Sequence, residues 1–462
     1  MEAHAMKSIT QTNKNDKDNF SSIVNFFKTY KISSILKASN AYKNKGIPVI
    51  DLFMYLFDLA FDNRSMYMNM LTGKHEGNFA KDTVYRLMNS VSINWMRFTS
   101  LLSAAIVNTT ITKLTDENRV NVLIIDDTIF DRNSSKKVEL LTKVYDHAKK
   151  CYKRGFRLLT LGWSDGNTFL PVNGCLLSSE NSKSRINEAK ELDKRTVGFA
   201  RRELSKTKAT TVMLDLIDSA KKACIPASHV LFDSWFCFPS TLIAIKGKGF
   251  DVVAMSKKSS KIHYLYNGKM QPLTEVYKQN KKRRGRSKYL LSVEISAVKD
   301  DKTIPARAVY VRNRNKRKDY LIIITTDMTI DEEEIIRIYG KRWNIEVFFK
   351  VCKSYLKLSK ECNSLSYDAM TAHTAIVFTR YMLLSVENRG ETDLRTCGEI
   401  FYLVADEMAD ITLIQAFHLL MQLFLDTISD KLALTKKQLD QLMDAFMQNI
   451  PMHLKSKLCL CA

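Results

Sequence analysis

Three acidic residues stand where phosphodiester chemistry needs carboxylates. Asp127 follows the apolar run Val122-Leu-Ile-Ile125 by way of Asp126, and Asp233 follows His229-Val-Leu-Phe232. Short continuous apolar runs of this kind read as strands buried on both faces, so each aspartate sits at a strand end. Glu346 lies in a helical segment further on. There Tyr339, Arg342, Glu346, Lys350 and Lys353 recur at intervals of 3, 4, 4 and 3, which predicts that all five share one helical face. Ile335, Ile338, Ile345, Phe348, Phe349 and Cys352 form the complementary apolar face. Hard divalent cations take carboxylate oxygens, and a two-metal site stabilises the attacking and leaving oxygens of in-line displacement at phosphorus. Arginine and lysine beside them would grip flanking phosphates, and Trp343 could stack on an unpaired base. Singly, each acid reads as a turn former or helix cap, and Arg342 with Glu346 as a surface ion pair. It is their conjunction that points to a nucleic-acid-cutting site.

Composition agrees. The 462 residues carry Lys+Arg 71 against Asp+Glu 49, a net charge of +22. An excess that large argues for a polyanionic partner, with nucleic acid ahead of an anionic membrane. Hydrophobic residues at 45% and charged residues at 26% are ordinary for a globular chain. No run of 18 apolar residues predicts a membrane span, and the polar segment Met1 to Lys17 predicts no secretory signal. The nine scattered cysteines, without a CxxC pair, read as reduced thiols. Neither a GxxxxGK[ST] loop nor a GxGxxG turn occurs, so no nucleotide cofactor is expected.

The elements that must position the acids follow from periodicity. Residues 1–115 read as helical. The piece Phe79 to Met88 after Gly77, with Lys81, Thr83 and Arg86 on its polar side, is either a helix-turn-helix recognition helix or an ordinary bundle helix. Strands are expected at 122–125, 156–163, 168–177, 229–232 and 251–255, with the hairpin turn Ser164-Asp-Gly-Asn167 between the second and third. A long charged stretch over about 187–224 has helical spacing, and 238–246 suits a helix. Residues 257–326 read mostly as strand, interrupted by the basic runs 281–288 and 312–318. One helix then starts at Asp331, with Glu332 to Glu334 in its first turn, and persists past Lys353. Strands alternating with helices imply an α/β sheet covered by helices, with ligands at strand C-terminal ends. The remainder, 364–462, reads as helical.

At this point the residues resemble a known family. Tyr339, Arg342, Glu346 and Lys353 fit the Y-x2-R-x3-E-x6-K signature of bacterial insertion-sequence transposases of the DDE class. Asp126-Asp-Thr128 resembles the family's first-Asp motif and Phe232-Asp-Ser-Trp-Phe236 its second. The resemblance covers about 120–360. It implies a ribonuclease-H-like core with a β-rich insertion before the last catalytic helix, flanked by helical N- and C-terminal regions. The implied organisation is a DNA-binding region 1–115, core 116–256 and 327–363, insertion 257–326 and a dimerising region 364–462. It implies Mg²⁺ or Mn²⁺ on Asp127, Asp233 and Glu346, with Asp127 preferred over Asp126 because the motif favours the acid just before threonine. It implies transposon-end contacts from Tyr339, Arg342, Trp343, Lys350 and Lys353, joined by Lys81 and Arg86 of the N-terminal helix if that helix reads DNA. The implied partners are transposon-end and target DNA and, on DNA, a second copy of the chain. The implied reaction is cut-and-paste transposition through a hairpin, in the bacterial cytoplasm and on the nucleoid when bound.

Two other functions share the same acids: an inactive, transposon-derived DNA-binding protein, and a nuclease without strand transfer. A basic scaffold for RNA or acidic partners would leave the acids idle.

Overall fold

The structure, a computed structural model, describes residues 22–62, 65–72, 79–115, 119–283, 287–313, 316, 319–389, 417, 420–421, 424–425, 428 and 436–450. Gly77, residues 284–286 of the first basic run and Cys397, Cys459 and Cys461 lie outside them. The chain divides into two compact units, Ile32–Phe57 with Glu76–Asp393, and Met1–Lys31 with Asp58–His75 and Leu394–Ala462.

The N-terminal described residues are helical, as expected: α1 (Ser22–Thr29), α2 (Ile32–Ala38), α3 (Val49–Asp58), α4 (Met66–Leu71), α5 (Lys81–Met88) and α6 (Trp95–Ile106). In α6, Asn94 caps the first turn by accepting from the Arg97 amide at 2.9 Å. Trp95, Phe98, Leu102 and Ile106, spaced by 3 and 4, are buried along one stripe, and Phe53 of α3 packs edge-on against Phe98 with ring centroids 5.2 Å apart.

The larger unit is built on a mixed sheet of 11 strands. In chain order these are β1 (Val122–Asp131), β2 (Thr142–Asp146), β3 (Cys151–Ser164), β4 (Phe169–Leu177), β5 (His229–Phe232), β6 (Asp251–Ser256), β7 (Tyr264–Tyr266), β8 (Lys269–Gln271), β9 (Tyr289–Lys299), β10 (Lys302–Arg312) and β11 (Tyr320–Thr325). Their spatial order is β2-β3-β1-β5-β6-β11-β10-β9-β7-β8, and β4 pairs with the far half of β3. β1, β5 and β6 run parallel, while β3 and β11 lie antiparallel on either side of them. The parallel strands Val122–Ile125 and His229–Phe232 are wholly buried, which is why they read as unbroken apolar runs.

The helices of this middle region are α7 (Val197–Ser205), α8 (Ala209–Lys222), α9 (Pro239–Lys246) and α10 (Leu273–Gln279); α11 (Glu332–Gly340), α12 (Trp343–Ser354), α13 (Tyr367–Glu387) and α14 (Lys436–Asn449) follow. Four expectations need correction. The first strand does not end at Ile125 but runs on to Asp131, paired throughout with β3, so Asp126 and Asp127 lie in mid-strand rather than at a strand end. The charged stretch 187–224 is helical only in α7 and α8. Its first part is held extended, because Asn187 donates to the carbonyls of Lys136 and Val138 (2.8 and 2.7 Å) and the Lys190 amide donates to Glu139 (2.9 Å). Strand β2 and helix α10, unremarked in the sequence, are present. The helix after Asp331 is two helices rather than one, and the break falls at Lys341–Arg342.

Buried ionic groups tie the elements together. Arg202, 2% exposed, donates to both oxygens of Glu139 (2.6 and 3.0 Å) and both oxygens of Asp368 (3.0 and 2.7 Å). Arg380 of α13, fully buried, donates to the Phe57 carbonyl (2.8 Å) and to Glu361 (2.6 and 3.2 Å). Among the described residues no helix is long and apolar enough to cross a membrane, and the six described cysteines are free thiols.

Candidate active site

The first acids come from β1, where successive side chains point to opposite faces. Asp126 and Thr128 face α12. The Asp126 carboxylate accepts from Arg342 at 2.8 Å, and the Thr128 hydroxyl accepts from Lys353 at 2.5 Å. Asp127 turns the other way and accepts from Arg157 of β3 at 2.6 Å. That pair is diagonal across the ladder, since Asp127 pairs with Leu159 and Arg157 with Ile129. The third acid follows β5. Ile125 pairs with Phe232 in the parallel register, so Asp126, in mid-strand, and Asp233, just past the end of β5, lie at the same level on adjacent strands. Asp233 Oδ1 accepts from the Trp235 amide at 2.8 Å, a local turn that sets the loop after β5.

Glu346 joins the group through Arg342, whose guanidinium donates to Glu346 and to Asp126 at once. A planar fork presents a separate nitrogen to each carboxylate in a fixed geometry, where a lysine would have to serve both from one nitrogen. The break at Lys341 gives this arrangement its geometry. The Lys341 ammonium is buried and donates to the carbonyls of Val120 (2.5 Å) and Asp165 (3.3 Å). Around it the backbone bonds shorten to i−3 partners: Lys341 to Ile338, Arg342 to Tyr339, Asn344 to Lys341 and Ile345 to Arg342. Such tightening is the 3₁₀ form of a helix. Asn344 then donates to the Ser164 hydroxyl at 3.0 Å. The β3–β4 hairpin turn therefore seats the start of α12. The apolar face survives the break, with Ile335, Ile338, Ile345, Phe348, Phe349 and Cys352 all buried.

The electrostatics are those of crowded like charges. Burial pushes the Asp126 carboxyl up to about 7; Arg342 opposes this, and Asp233 and Asp127 add to it. Burial also raises Asp233, with the Trp235 amide opposing and Asp127 adding. The Tyr339 hydroxyl is pushed up to about 12 by burial. Burial lowers the Lys353 ammonium.

The structure brings Asp126, Asp233, Tyr339, Arg342 and Glu346 to one region of the sheet, whereas Asp127, next to Asp126 in β1, is turned to Arg157 on the other face. Lys353 is half-buried on Thr128. Trp343, 62% exposed, and Lys350 project to solvent. Lys81 and Arg86 lie apart, on the exposed side of α5, whose Val84 and Leu87 are buried. Residues not anticipated are Lys341 and Asn344, which seat α12, and Arg157 as the partner of Asp127. No local signal could have found them, because each contact depends on strand register or on a hairpin far away in sequence.

Among the described residues no group of three or more histidine, cysteine, aspartate or glutamate side chains stands poised around a single ion position. The donor chemistry nonetheless fits a hard divalent cation: the acids offer only carboxylate oxygens, and their mutual repulsion is what a cation relieves.

The family model described as DDE superfamily endonuclease matches residues 51–318. The chain belongs to that family. The matched stretch, more than half of this DDE endonuclease, contains Asp126, Asp127 and Asp233. Glu346 and its helix follow it, so Arg342 is the physical link between the matched acids and the last one. No curated protein matches the chain. The large mixed sheet with its many helices is consistent with a DDE nuclease fold.

Proposed function

We propose that this DDE endonuclease is a bacterial insertion-sequence transposase that cuts and rejoins DNA at the ends of its element. The observation that carries the reading is the Arg342 bridge, which ties Asp126 of the first-Asp motif to Glu346 of the Y-x2-R-x3-E-x6-K helix. The strand order β4-β3-β1-β5-β6, with only β3 reversed, supports a ribonuclease-H-like core, with 257–326 as the β-rich insertion.

In this reading Asp127, Asp233 and Glu346 would hold Mg²⁺ or Mn²⁺, which requires the Asp127 carboxylate to leave Arg157 and turn toward Glu346, or Asp126, already on that face, to take its place. Bound there, the metal would supply an activated water and charge stabilisation at phosphorus. Arg342 orients Glu346. Tyr339, Lys350 and Lys353 approach the phosphates of the transposon end, Trp343 offers a stacking surface, and Lys81 and Arg86 contact DNA from the N-terminal region. Water displaces one strand at the element end and frees a 3′-OH. That hydroxyl attacks the opposite strand to close a hairpin, which is reopened before the 3′-OH attacks target DNA. Each step exchanges one P–O bond for another, so no side-chain nucleophile is required. Two copies, joined through 364–462, would bridge two ends.

The test is cleavage of a supercoiled plasmid carrying the gene's own flanking DNA, with Mg²⁺, by wild type and Glu346→Ala. Cuts at the element ends in wild type alone support the reading. Binding without cutting in both proteins would make the chain an inactive DNA-binding descendant. Cutting with no joined product would leave a nuclease.

A further inference from the structure

Beside the acids runs a row of exposed rings that the transposase reading does not use. It begins on the β2–β3 hairpin, where Tyr145 and Tyr152 are register partners with ring centroids 5.1 Å apart. Tyr145 meets His147 edge-on at 5.0 Å, and His147 meets Trp235 at 5.6 Å. These rings are open to solvent: Tyr152 is 72% exposed, Trp235 47% and Tyr145 39%. Apolar side chains scattered singly over a surface need no explanation, but four aromatic rings in continuous contact do.

The row is basic as well as aromatic. The Lys257 ammonium lies 3.7 Å from the centroid of the Trp235 ring, and the Arg157 guanidinium 5.8 Å from it. Lys143, Lys149 and Lys150 are exposed on the same hairpin. Trp235 is also fixed to the acids: its amide donates to Asp233, and Arg157 joins the ring to Asp127. One end of the row is therefore held within two residues of a proposed metal ligand.

We propose that Trp235, His147, Tyr145 and Tyr152 form a stacking track for unpaired nucleotides of DNA, leading away from the acids along the β2–β3 hairpin. Aromatic faces accept any base, and lysines at their margins track the phosphates. A duplex end opened for cutting or hairpin closure exposes such nucleotides, so the proposal rests on the DNA-cleaving reading above. Lys257 exchanges its contact with the indole for the adjoining phosphate when a base stacks there.

The experiment measures binding of the full chain, without divalent metal so that nothing is cut, to two labelled DNAs from the gene's flank. One is a plain duplex; the other is the same duplex with a six-nucleotide 3′ tail containing 2-aminopurine. Stacking is worth about 1–3 kcal/mol per base, a factor of roughly 5 to 150. In wild type the tail tightens binding and its 2-aminopurine fluorescence is quenched. Trp235→Ala and Tyr152→Ala each lose at least fivefold of that gain and part of the quenching, with duplex affinity within twofold of wild type. Trp235→Phe keeps most of the gain. All of these side chains are exposed, and an unchanged unfolding midpoint confirms that the variants fold. The proposal is overturned if wild type binds duplex but gains nothing from the tail, or if the variants lose duplex and tail binding equally. It is also overturned if the variants change only the mass of the protein in solution, which would make the row a protein–protein contact. If wild type binds neither DNA, the DNA-cleaving reading itself fails, and the proposal with it.

Discussion

Arg342 sets much of the site's geometry, because it bonds to an acid on β1 and to another on α12 at once. Arg342→Lys keeps the charge but loses the fork, leaving one nitrogen on a shorter reach to serve both Asp126 and Glu346. Plasmid cleavage is expected to fall at least tenfold while DNA binding stays within a few fold; cleavage near the wild-type rate would show that the bridge is dispensable. The acids themselves give a sharper contrast. Asp127→Ala, Asp233→Ala and Glu346→Ala are each expected to abolish cleavage and leave DNA binding near normal, as read by gel shift and by nicking on the same DNA. Asp126 faces α12 and holds Arg342, so Asp126→Asn is expected to weaken cleavage without abolishing it. Complete loss in that variant would place Asp126 among the metal-holding acids.

At the scale of elements, the β3–β4 hairpin decides where α12 lies. Ser164 holds Asn344, and Asp165 is a hub, accepting from Thr115 (2.8 Å) and Arg389 (2.9 Å) while its carbonyl receives Lys341. Behind the turn, Gly162 lets the Phe169 ring lie directly on the strand. A Cβ at Gly162 would stand 2.1 Å from the ring's Cζ, and the ring is penned in by Phe348 of α12 (5.2 Å) and Tyr381 of α13 (6.1 Å). Gly162→Val therefore overpacks the layer between hairpin and catalytic helix. The expected loss is about 1–3 kcal/mol, read from denaturant unfolding. A neutral result would mean that Phe169 has another place to go.

At the scale of the molecule, +22 makes DNA affinity a matter of counterion release. The logarithm of the binding constant should fall linearly with the logarithm of salt concentration, and a flat dependence would argue against a phosphate-dominated interface. The larger unit is also sensitive to acid. His373 is buried, donating from Nε2 to the carbonyls of Lys357 and Leu358 (3.2 and 3.1 Å), and burial holds its pKa below the ordinary value. The unfolded chain takes up that proton first, so stability is full above about pH 6.5 and declines as pH falls below it. Glu361 is held below its usual range: burial raises it, but Arg380 and His373 together outweigh burial. Its contribution is present above the unfolded carboxylate value and is lost as pH falls through the lower folded one. The urea midpoint is expected to drop between pH 7 and 5.5, and His373→Gln to flatten that slope. Arg202→Met leaves the buried Glu139 without its arginine, while Asp368 keeps Arg201, and should cost about 3–5 kcal/mol, because unpaired buried charge is expensive.

The positions of β5, β11 and the first half of β1 could be read from local pattern, because strand segments buried on both faces are apolar; the half-buried second half of β1, which carries the aspartates, was not read. The buried face of the last helices was equally legible, since helical spacing survives a kink. The chemistry of the acids and the basic excess pointed to DNA cleavage, and the family match agrees at the level of a DDE endonuclease; the strand-end placement is met by Asp233 but not by Asp127. What only the tertiary structure decided is how these pieces meet. Helical spacing does not show the break at Lys341, whose side chain reaches two carbonyls, Val120 and Asp165, far away in the chain. Adjacent aspartates look alike in a motif, yet the pleat of β1 sends Asp126 to Arg342 and Asp127 to Arg157. The row from Tyr152 to Trp235 joins residues more than eighty positions apart, and only strand pairing brings them into contact. Periodicity reports which face a residue occupies; which partner waits on that face is set by register and packing.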